Sequence, residues 1–234
     1  MILLNNSNNY FFIASYPRSG NTWCRVLIAQ ILKLTKSNKE TFNLNEDLKT
    51  GVIMSNKEWI DDQIGISSCY LHHWELDKIR GNISQKTKIY SNLPRFHKVH
   101  DAFKTIHSNG KPIVPIEGCK GALYLVRHPA DIVISLSHFY SWDYEKTIDF
   151  LLNEKSCLHE SRWQVPQFLG SWDYHFRSWT SQTDLSLLLV RYEDLILNPE
   201  IFFKKIVKFF KLEIKDDDLC KIIKNTSFKK LKNI

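Results

Sequence analysis

A polar loop between an apolar run and a helical pattern carries the strongest chemical signal in the sequence. Residues 10–15 are mostly apolar, and from Thr22 onward the apolar residues recur at helical spacing. A loop that leads into a helix N-terminus directs free backbone N–H groups and the positive end of the helix dipole at one spot, which suits phosphate or sulfate. Arg18 adds a fixed cation, and Gly20 allows close approach of the backbone. Further hydrogen-bond donors come from Ser19, Asn21 and Thr22.

This loop differs from the usual nucleoside-triphosphate loop. That loop has a glycine, four residues and then Gly-Lys-Ser/Thr, whereas here Gly20 is the only glycine and no lysine follows it. The sequence therefore predicts an anion site that is not an ATP site.

A second strand–loop–helix pattern spans residues 122–140. Arg127 lies at the carboxyl end of the predicted strand, where open parallel sheets bind ligands. Asp131, Ser135 and Phe139 follow at a spacing of four, which places them on one helix face. Arg127 and Ser135 are therefore candidates to hold one anion, although taken alone they are more simply a surface arginine and an ordinary helical serine. Triphosphate enzymes that use magnesium commonly have an acidic residue at a strand end, so an arginine there disfavours that class.

A pair of basic residues marks the end of a third predicted strand. Alternation along a strand places Lys98 and His100 on one face and His97 on the other. The unperturbed pKa of histidine suits a general base at neutral pH. A structural role is the simpler interpretation for any one of the nine histidines, so only Lys98 and the two anion loops favour catalysis by His100.

These candidate residues need a scaffold that brings strand ends together. Helical patterns lie between four apolar runs, and this alternation predicts a parallel β-sheet covered by helices on both faces. We expect a single α/β domain over residues 1–234, in which residues 36–95 form helices and loops of undefined limits. The four apolar runs are predicted as the strands Tyr10–Ser15, Phe96–Val99, Ala122–Val126 and Leu185–Val190.

Two patterns in the second half of the sequence indicate helices rather than sites. Trp172, His175 and Trp179 recur at spacings of three and four, and an aromatic stripe of this kind is typical of core packing. Pro199 directly after Asn198 predicts a helix that begins there, with Asn198 as its cap.

The composition is that of a globular protein with a basic net charge. Hydrophobic residues make up 43% of the 234 residues and charged residues 24%, and the net charge of +7 suits nucleic acid, an anionic membrane surface or a nucleotide. Composition alone leaves these three classes of partner open. The five cysteines are scattered without a Cys-x-x-Cys pair, which favours reduced thiols in a cytoplasm over disulfides or a metal site. A signal peptide and an apolar stretch of bilayer length are both lacking, so we expect a soluble, cytoplasmic protein.

Several motifs together resemble those of sulfotransferases, which use 3′-phosphoadenosine 5′-phosphosulfate (PAPS) as the sulfuryl donor. Residues 16–23 and the segment Arg127-x-x-x-Asp131-x-x-x-Ser135 resemble the two nucleotide-binding signatures of that family. The resemblance spans nearly the whole chain and implies a P-loop-like α/β fold. The further stretches that agree in type and order are Lys98-Val99-His100, Gly170-Ser171-Trp172, Arg191-Tyr192-Glu193-Asp194-Leu195 and Thr226-Ser227-Phe228.

The resemblance implies a nucleotide-binding role for each matching residue. The loop from Arg18 to Trp23 would hold the 5′-phosphosulfate, and the indole of Trp23 would also stack on adenine. Arg127 and Ser135 would bind the 3′-phosphate, a bidentate task that suits a guanidinium. The nucleoside would be contacted by Tyr192, Thr226, Ser227 and Phe228.

The same resemblance implies the catalytic residues. His100 would be the general base, and Lys98 would lie beside the transferring group. Arg18 would stabilise charge on the leaving oxygen, at a position where animal cytosolic members usually have lysine.

The resemblance implies an enzyme that sulfates a hydroxyl or amine of a small molecule without a metal, as a monomer or a homodimer. Its partners would be PAPS and the acceptor, with no nucleic acid and no membrane. Two alternatives stay open: a nucleotide-binding protein without transferase activity, and a P-loop-type small-molecule kinase. Many members carry a basic, glycine-rich segment after the Thr-Ser-Phe stretch. Only six residues follow Phe228, so we expect either a shortened variant or an incomplete sequence.

Overall fold

A five-stranded parallel β-sheet forms the centre of the chain in the computed structural model. The residues that the structure describes are 10–37, 51–86, 94–103 and 113–226. The strands are β1 (Tyr10–Ser15), β2 (Val52–Ile53), β3 (Arg95–Val99), β4 (Cys119–Val126), β5 (Cys157–Leu158), β6 (Gln167–Phe168) and β7 (Leu187–Arg191). The strand order in the parallel sheet is β2-β3-β1-β4-β7, and a separate two-stranded antiparallel sheet joins β5 to β6.

Helices connect the strands and cover the sheet. Across the described part of the chain, no helix is both long enough and apolar enough to cross a lipid bilayer. A short 3₁₀-helix at Ser68–Tyr70 precedes the third helix. The helices are α1 (Asn21–Ser37), α2 (Lys57–Ile64), α3 (His73–Lys86), α4 (Pro129–Tyr140), α5 (Tyr144–Leu152), α6 (Trp172–Thr180), α7 (Tyr192–Leu197), α8 (Pro199–Phe209) and α9 (Asp216–Asn225).

Alternate residues of β1 face two different hydrophobic cores. Phe11 and Ile13 belong to a core shared with α1, α8 and α9, whereas Tyr10, Phe12 and Ala14 belong to a core that includes a tryptophan of α6. All six residues of β1 are buried, because the strand is central and helices cover both of its faces. The expected α/β fold with helices on both sides of a parallel sheet is therefore confirmed.

All four predicted strands are present, and β1 has the predicted limits. The short strand β2 was not expected, because two residues are too few to show a period. Helix α8 begins at Pro199 as predicted. Asn198 is the N-cap residue of this helix, as predicted, although its side chain makes no capping hydrogen bond to any described residue. His175 and Trp179 are fully buried and Trp172 is partly buried, so the predicted stripe faces the protein interior.

A buried ion pair fixes α3 to the end of β3. The Nη2 atom of Arg80 lies 2.5 Å from Oδ2 of Asp101, and both side chains are fully buried. Arg80 also donates from Nε to the carbonyl oxygen of Met54 at 3.0 Å, and from Nη1 to that of Pro166 at 3.3 Å. Asp101 Oδ1 accepts a further hydrogen bond from the backbone N–H of Phe168 at 3.0 Å. These bonds hold the chain directly after His100 in one position.

We expect the Asp101→Ala substitution to lower the free energy of unfolding by about 3–5 kcal/mol, because it leaves a buried guanidinium without its nearest carboxylate. Urea unfolding followed by circular dichroism measures this loss. The matched control is Asp173→Ala, which breaks the exposed Arg177–Asp173 pair, whose side chains are 73% and 61% exposed. That change should cost less than about 1 kcal/mol. Equal effects of the two substitutions would contradict a structural role for the buried pair.

Candidate active site

The loop after β1 has the backbone shape that the sequence predicted for an anion site. Arg18 and Gly20 both adopt left-handed backbone angles, with φ of 69° and 93°. A Cβ atom on residue 20 would lie 2.7 Å from Cδ2 of Tyr192, so only glycine fits without a shift of that ring. The loop ends at α1, whose first-turn N–H groups have no partners within the helix and face the loop.

The loop's polar side chains divide into two groups. Asn21 uses its amide group internally, since Nδ2 donates to the carbonyl oxygen of Ile13 at 3.0 Å and to Oγ of Ser15 at 3.2 Å. Ser19 is fully buried and its hydroxyl has no partner among the described residues, whereas Thr22 is exposed. Asn21 therefore stabilises the end of β1 with its side chain, and Ser19 retains a free donor.

Trp23 lies in the first hydrophobic core. Its indole is 6% exposed and meets the ring of Phe203 edge-on at 5.2 Å. The Nε1 atom makes no hydrogen bond within the described part of the chain. The predicted stacking of Trp23 on adenine stays a prediction.

The two predicted anion-binding units meet at Arg18. Its Nε atom donates to Oγ of Ser135 at 3.0 Å, and its guanidinium lies 4.7 Å from the ring centre of Phe139. Nη1 of Arg127 donates to the carbonyl oxygen of Arg18 at 3.0 Å. Burial and the neighbouring charge of Arg127 lower the pKa of Arg18. Two guanidinium groups and one hydroxyl therefore converge on one spot, where an anion would relieve their repulsion.

An open groove of about 560 Å³ lies at this junction. One carboxylate, that of Asp131, is on its wall beside the two cations. Nε of Arg127 is buried and has no partner among the residues described. The groove is lined by Arg18, Arg127, Asp131, Ile134, Ser135, His138 and Phe139.

The residues predicted to contact the nucleoside are only partly within the described chain. The ring of Tyr192 lies under the Arg127 guanidinium at 4.6 Å and also contacts the loop at Gly20. Thr226 is fully buried at the end of α9, and its Oγ1 donates to the carbonyl oxygen of Ile222 at 2.8 Å. Ser227 and Phe228 lie outside the described residues.

His100 follows directly after β3 and points at the end of β1. Its Nδ1 atom lies 2.7 Å from the carbonyl oxygen of Ser15 and 3.3 Å from the hydroxyl of the same residue. Because a carbonyl oxygen can only accept, Nδ1 carries the ring proton and Nε2 keeps its lone pair. Burial, followed by the nearby charge of Lys98, holds the pKa of His100 well below its usual range. The imidazole is therefore neutral at physiological pH.

Lys98 and His100 share one environment, as the alternation along β3 predicted. Burial and the charge of Arg25 lower the pKa of Lys98 to about 8. The sequence analysis missed Arg25, which is 8% exposed on α1 and whose pKa burial lowers to about 10. The sequence does contain a signal for a buried cation, since Arg25 is the only charged residue in the apolar stretch 23–29.

His97 lies on the other side of the sheet, as predicted. It is fully buried, and its ring stacks on that of Tyr10 with centroids 4.6 Å apart. Burial lowers its pKa to about 3, with a smaller effect from Arg95. In the described part of the chain, neither ring nitrogen has a hydrogen-bond partner. His97 therefore belongs to the second core and takes no part in the candidate site.

Comparison with known proteins assigns this arrangement to a family. The family model of the sulfotransferase domain matches residues 8–234, which contain both loops and the His100 strand. The chain belongs to the sulfotransferase family. Over 223 residues it is 26% identical to mouse sulfotransferase 2A2 and 24% identical to human sulfotransferase 2A1. Each alignment covers 94% of this chain and 65% of the relative, so the chain spans less than two thirds of the length of these relatives.

Solved sulfotransferase-like structures share the fold. Mouse sulfotransferase SULT7A1 complexed with PAP (3′-phosphoadenosine 5′-phosphate) aligns with 97% of this chain and 67% of its own chain. The TM-score is 0.60 and the identity is 19%. Retinol dehydratase in complex with androsterone and inactive cofactor PAP matches 97% of this chain and 66% of its own, with a TM-score of 0.61 and 16% identity. At these identities the likeness shows the fold alone.

If the loop holds the nucleotide as the family resemblance implies, the Gly20→Ala substitution should weaken PAP binding at least about tenfold, because the added methyl group displaces Tyr192 and strains the loop. Isothermal titration calorimetry with PAP measures the change. Gly65→Ala is the matched control, since Gly65 also has a positive φ of 75° but has open space around the added atom. Both variants lose some stability, and only Gly20→Ala should lose affinity. Unchanged PAP affinity in Gly20→Ala would show that the loop does not hold the nucleotide.

Proposed function

We propose that this chain transfers a sulfuryl group from PAPS to a hydroxyl or amine of a small-molecule acceptor. The observation that carries the proposal is the convergence of Arg18, Arg127 and Ser135 beside the loop that precedes α1. The neutral imidazole of His100 donates a hydrogen bond to the carbonyl oxygen of Ser15, the residue directly before that loop. An anion site and a proton acceptor therefore lie at the same edge of the sheet.

Sulfuryl transfer is a displacement for which this site has suitable groups. The acceptor oxygen or nitrogen attacks sulfur, the bond from sulfur to the bridging oxygen breaks, and PAP leaves with the electron pair of that bond. His100 Nε2 takes the proton of the acceptor. Arg18 and Lys98 stabilise the negative charge that develops on the leaving oxygen. These fixed cations supply the charge without a metal ion in our proposal.

Recognition of the nucleotide is proposed to rest on its 3′-phosphate. The guanidinium of Arg127 and the hydroxyl of Ser135 both line the groove and can donate to this phosphate. Arg18 lies between this position and the loop, so one residue contacts both phosphate-binding units. Tyr192 supplies an aromatic surface next to them. The roles of Trp23, Thr226, Ser227 and Phe228 remain as the family resemblance implies.

The class of acceptor follows from the relatives. Retinol dehydratase was solved with androsterone and, separately, with retinol, each together with PAP. We therefore propose a small organic molecule as the acceptor here. A cytoplasmic location is proposed because all five cysteines are free thiols, which suits a reducing compartment.

The donor assignment makes a direct prediction. PAP should raise the melting temperature more than ADP does, because ADP lacks the 3′-phosphate and so gains nothing from Arg127 and Ser135. Arg127→Gln should weaken PAP binding about 10- to 100-fold and leave ADP binding nearly unchanged, since one charge-assisted contact is lost. Calorimetric titration of both nucleotides measures the difference.

The control for that experiment is Arg177→Gln, which removes an exposed arginine of α6. It should bind both nucleotides like the parent protein. Equal stabilisation by PAP and ADP would contradict the donor assignment, and a requirement for magnesium would favour the kinase alternative. PAP binding without transfer of radiolabelled sulfate to any acceptor in a metabolite extract would favour the nucleotide-binding alternative.

The base assignment makes a second prediction. His100→Ala should lower turnover of an aliphatic alcohol about 100- to 10,000-fold, because the acceptor then loses its proton unaided. Turnover of a nitrophenol should fall much less, since a nitrophenol ionises readily near neutral pH. PAP affinity should stay within about twofold of the parent, because the nucleotide is held by the two loops. His97→Ala is the matched control, and it should cost stability rather than turnover. Parent-like turnover in His100→Ala would rule out this base.

A further inference from the structure

His175 of α6 contacts the candidate base from inside the protein. Its Nε2 atom lies 2.9 Å from the carbonyl oxygen of His100. Its Nδ1 atom lies 2.9 Å from the hydroxyl of Tyr124, which is on β4. His175 is fully buried and Tyr124 is 1% exposed, so neither side chain reaches solvent. The sequence analysis assigned His175 to core packing, but packing alone does not require these two hydrogen bonds.

The geometry fixes the direction of both hydrogen bonds. The His100 carbonyl can only accept, so Nε2 of His175 carries the proton and donates it. Nδ1 of His175 is then unprotonated and accepts from the Tyr124 hydroxyl. Burial lowers the pKa of His175 to about 4, which keeps the ring neutral and preserves this pattern. Tyr124, His175 and His100 therefore form a directed chain of hydrogen bonds.

Aromatic contacts hold the His175 ring in place. Tyr124 stacks on it with ring centroids 5.7 Å apart, and Tyr16 meets it edge-on at 5.3 Å. Helix α6 also holds the next carbonyl of the chain, because Nε1 of Trp179 donates to the Asp101 oxygen at 3.2 Å. Two successive carbonyl groups after β3 are thus bound by side chains of a single helix.

We propose that His175, supported by Tyr124, is a positioning residue that sets the place of His100 relative to the acceptor. This inference rests on the proposed function, in which His100 is the base. The ring of His100 is held at Nδ1 by Ser15, and its main chain is held at the carbonyl by His175. Fixing both ends leaves Nε2 at one point in space. A displacement of about 1 Å at a reacting group can lower the rate about a hundredfold. The hydrogen bond from His175 to the His100 carbonyl therefore helps to maintain the rate.

The test uses the full chain, the PAPS donor and two acceptors, an aliphatic alcohol and a nitrophenol. His175→Leu should lower kcat for the alcohol about 100-fold and for the nitrophenol less than about 10-fold, because only the alcohol depends on a well-placed base. His175→Gln should recover most of the alcohol rate, since its Nε2 can still donate to the His100 carbonyl. PAP affinity should stay within about twofold in both variants.

Tyr124→Phe is the second variant and removes one hydroxyl from the chain of hydrogen bonds. We expect a loss of about 3- to 10-fold in kcat for the alcohol and almost none for the nitrophenol, since one supporting contact is absent. This variant decides the question if His175→Leu does not fold. A loss of equal size for both acceptors, or no loss, would mean that His175 and Tyr124 only stabilise the core, and would overturn the inference.

His100→Ala, measured in parallel, separates this inference from the proposed function. If His100→Ala loses the alcohol activity while His175→Leu retains it, the positioning role is wrong and the base assignment stands. If His100→Ala turns over the alcohol like the parent, the base assignment is wrong and the positioning role is rejected with it.

Discussion

The hydrogen bond between Nδ1 of His100 and the carbonyl oxygen of Ser15 is the interaction on which the site depends. It spans 2.7 Å and joins the end of β3 to the end of β1, from which the anion-binding loop starts. The bond determines which ring nitrogen can accept a proton. It also fixes the distance between the candidate base and the loop. Both functions follow from the parallel sheet, in which the carboxyl ends of neighbouring strands lie at one edge.

Desolvation and like-charge repulsion both lower the pKa of basic residues at this edge of the sheet. Burial is the largest cause of the lowered pKa of Arg18, Arg25, Lys98 and His100, and a neighbouring cation adds to it for three of them. Cations in such a place are costly for the free protein. An anionic ligand close to Arg18, Arg25 or Lys98 would offset that cost, whereas the imidazole of His100 avoids it by staying neutral.

Local patterns in the sequence were sufficient for the four main strands of the parallel sheet and for the candidate residues that adjoin them. The apolar run of β1, the loop with Gly20 and the alternation that separates His97 from His100 are all properties of adjacent residues. The missed features depend on residues far apart in the chain. The contact of Arg18 with Ser135 and the bond from His175 to His100 exist only once the sheet has formed. No periodicity in the sequence encodes them.

The central place of β1 has a consequence for how the chain folds. This strand precedes both of its partners in the chain, because Tyr10 pairs with Arg95 on one side and with Cys119 on the other. Its apolar residues and both of its hydrogen-bonding edges stay unpaired until those later strands emerge from the ribosome. Such long-range pairing slows folding and exposes the nascent chain to aggregation. The strand that leads into the anion loop is therefore also a strand that waits, unpaired, for distant parts of the chain.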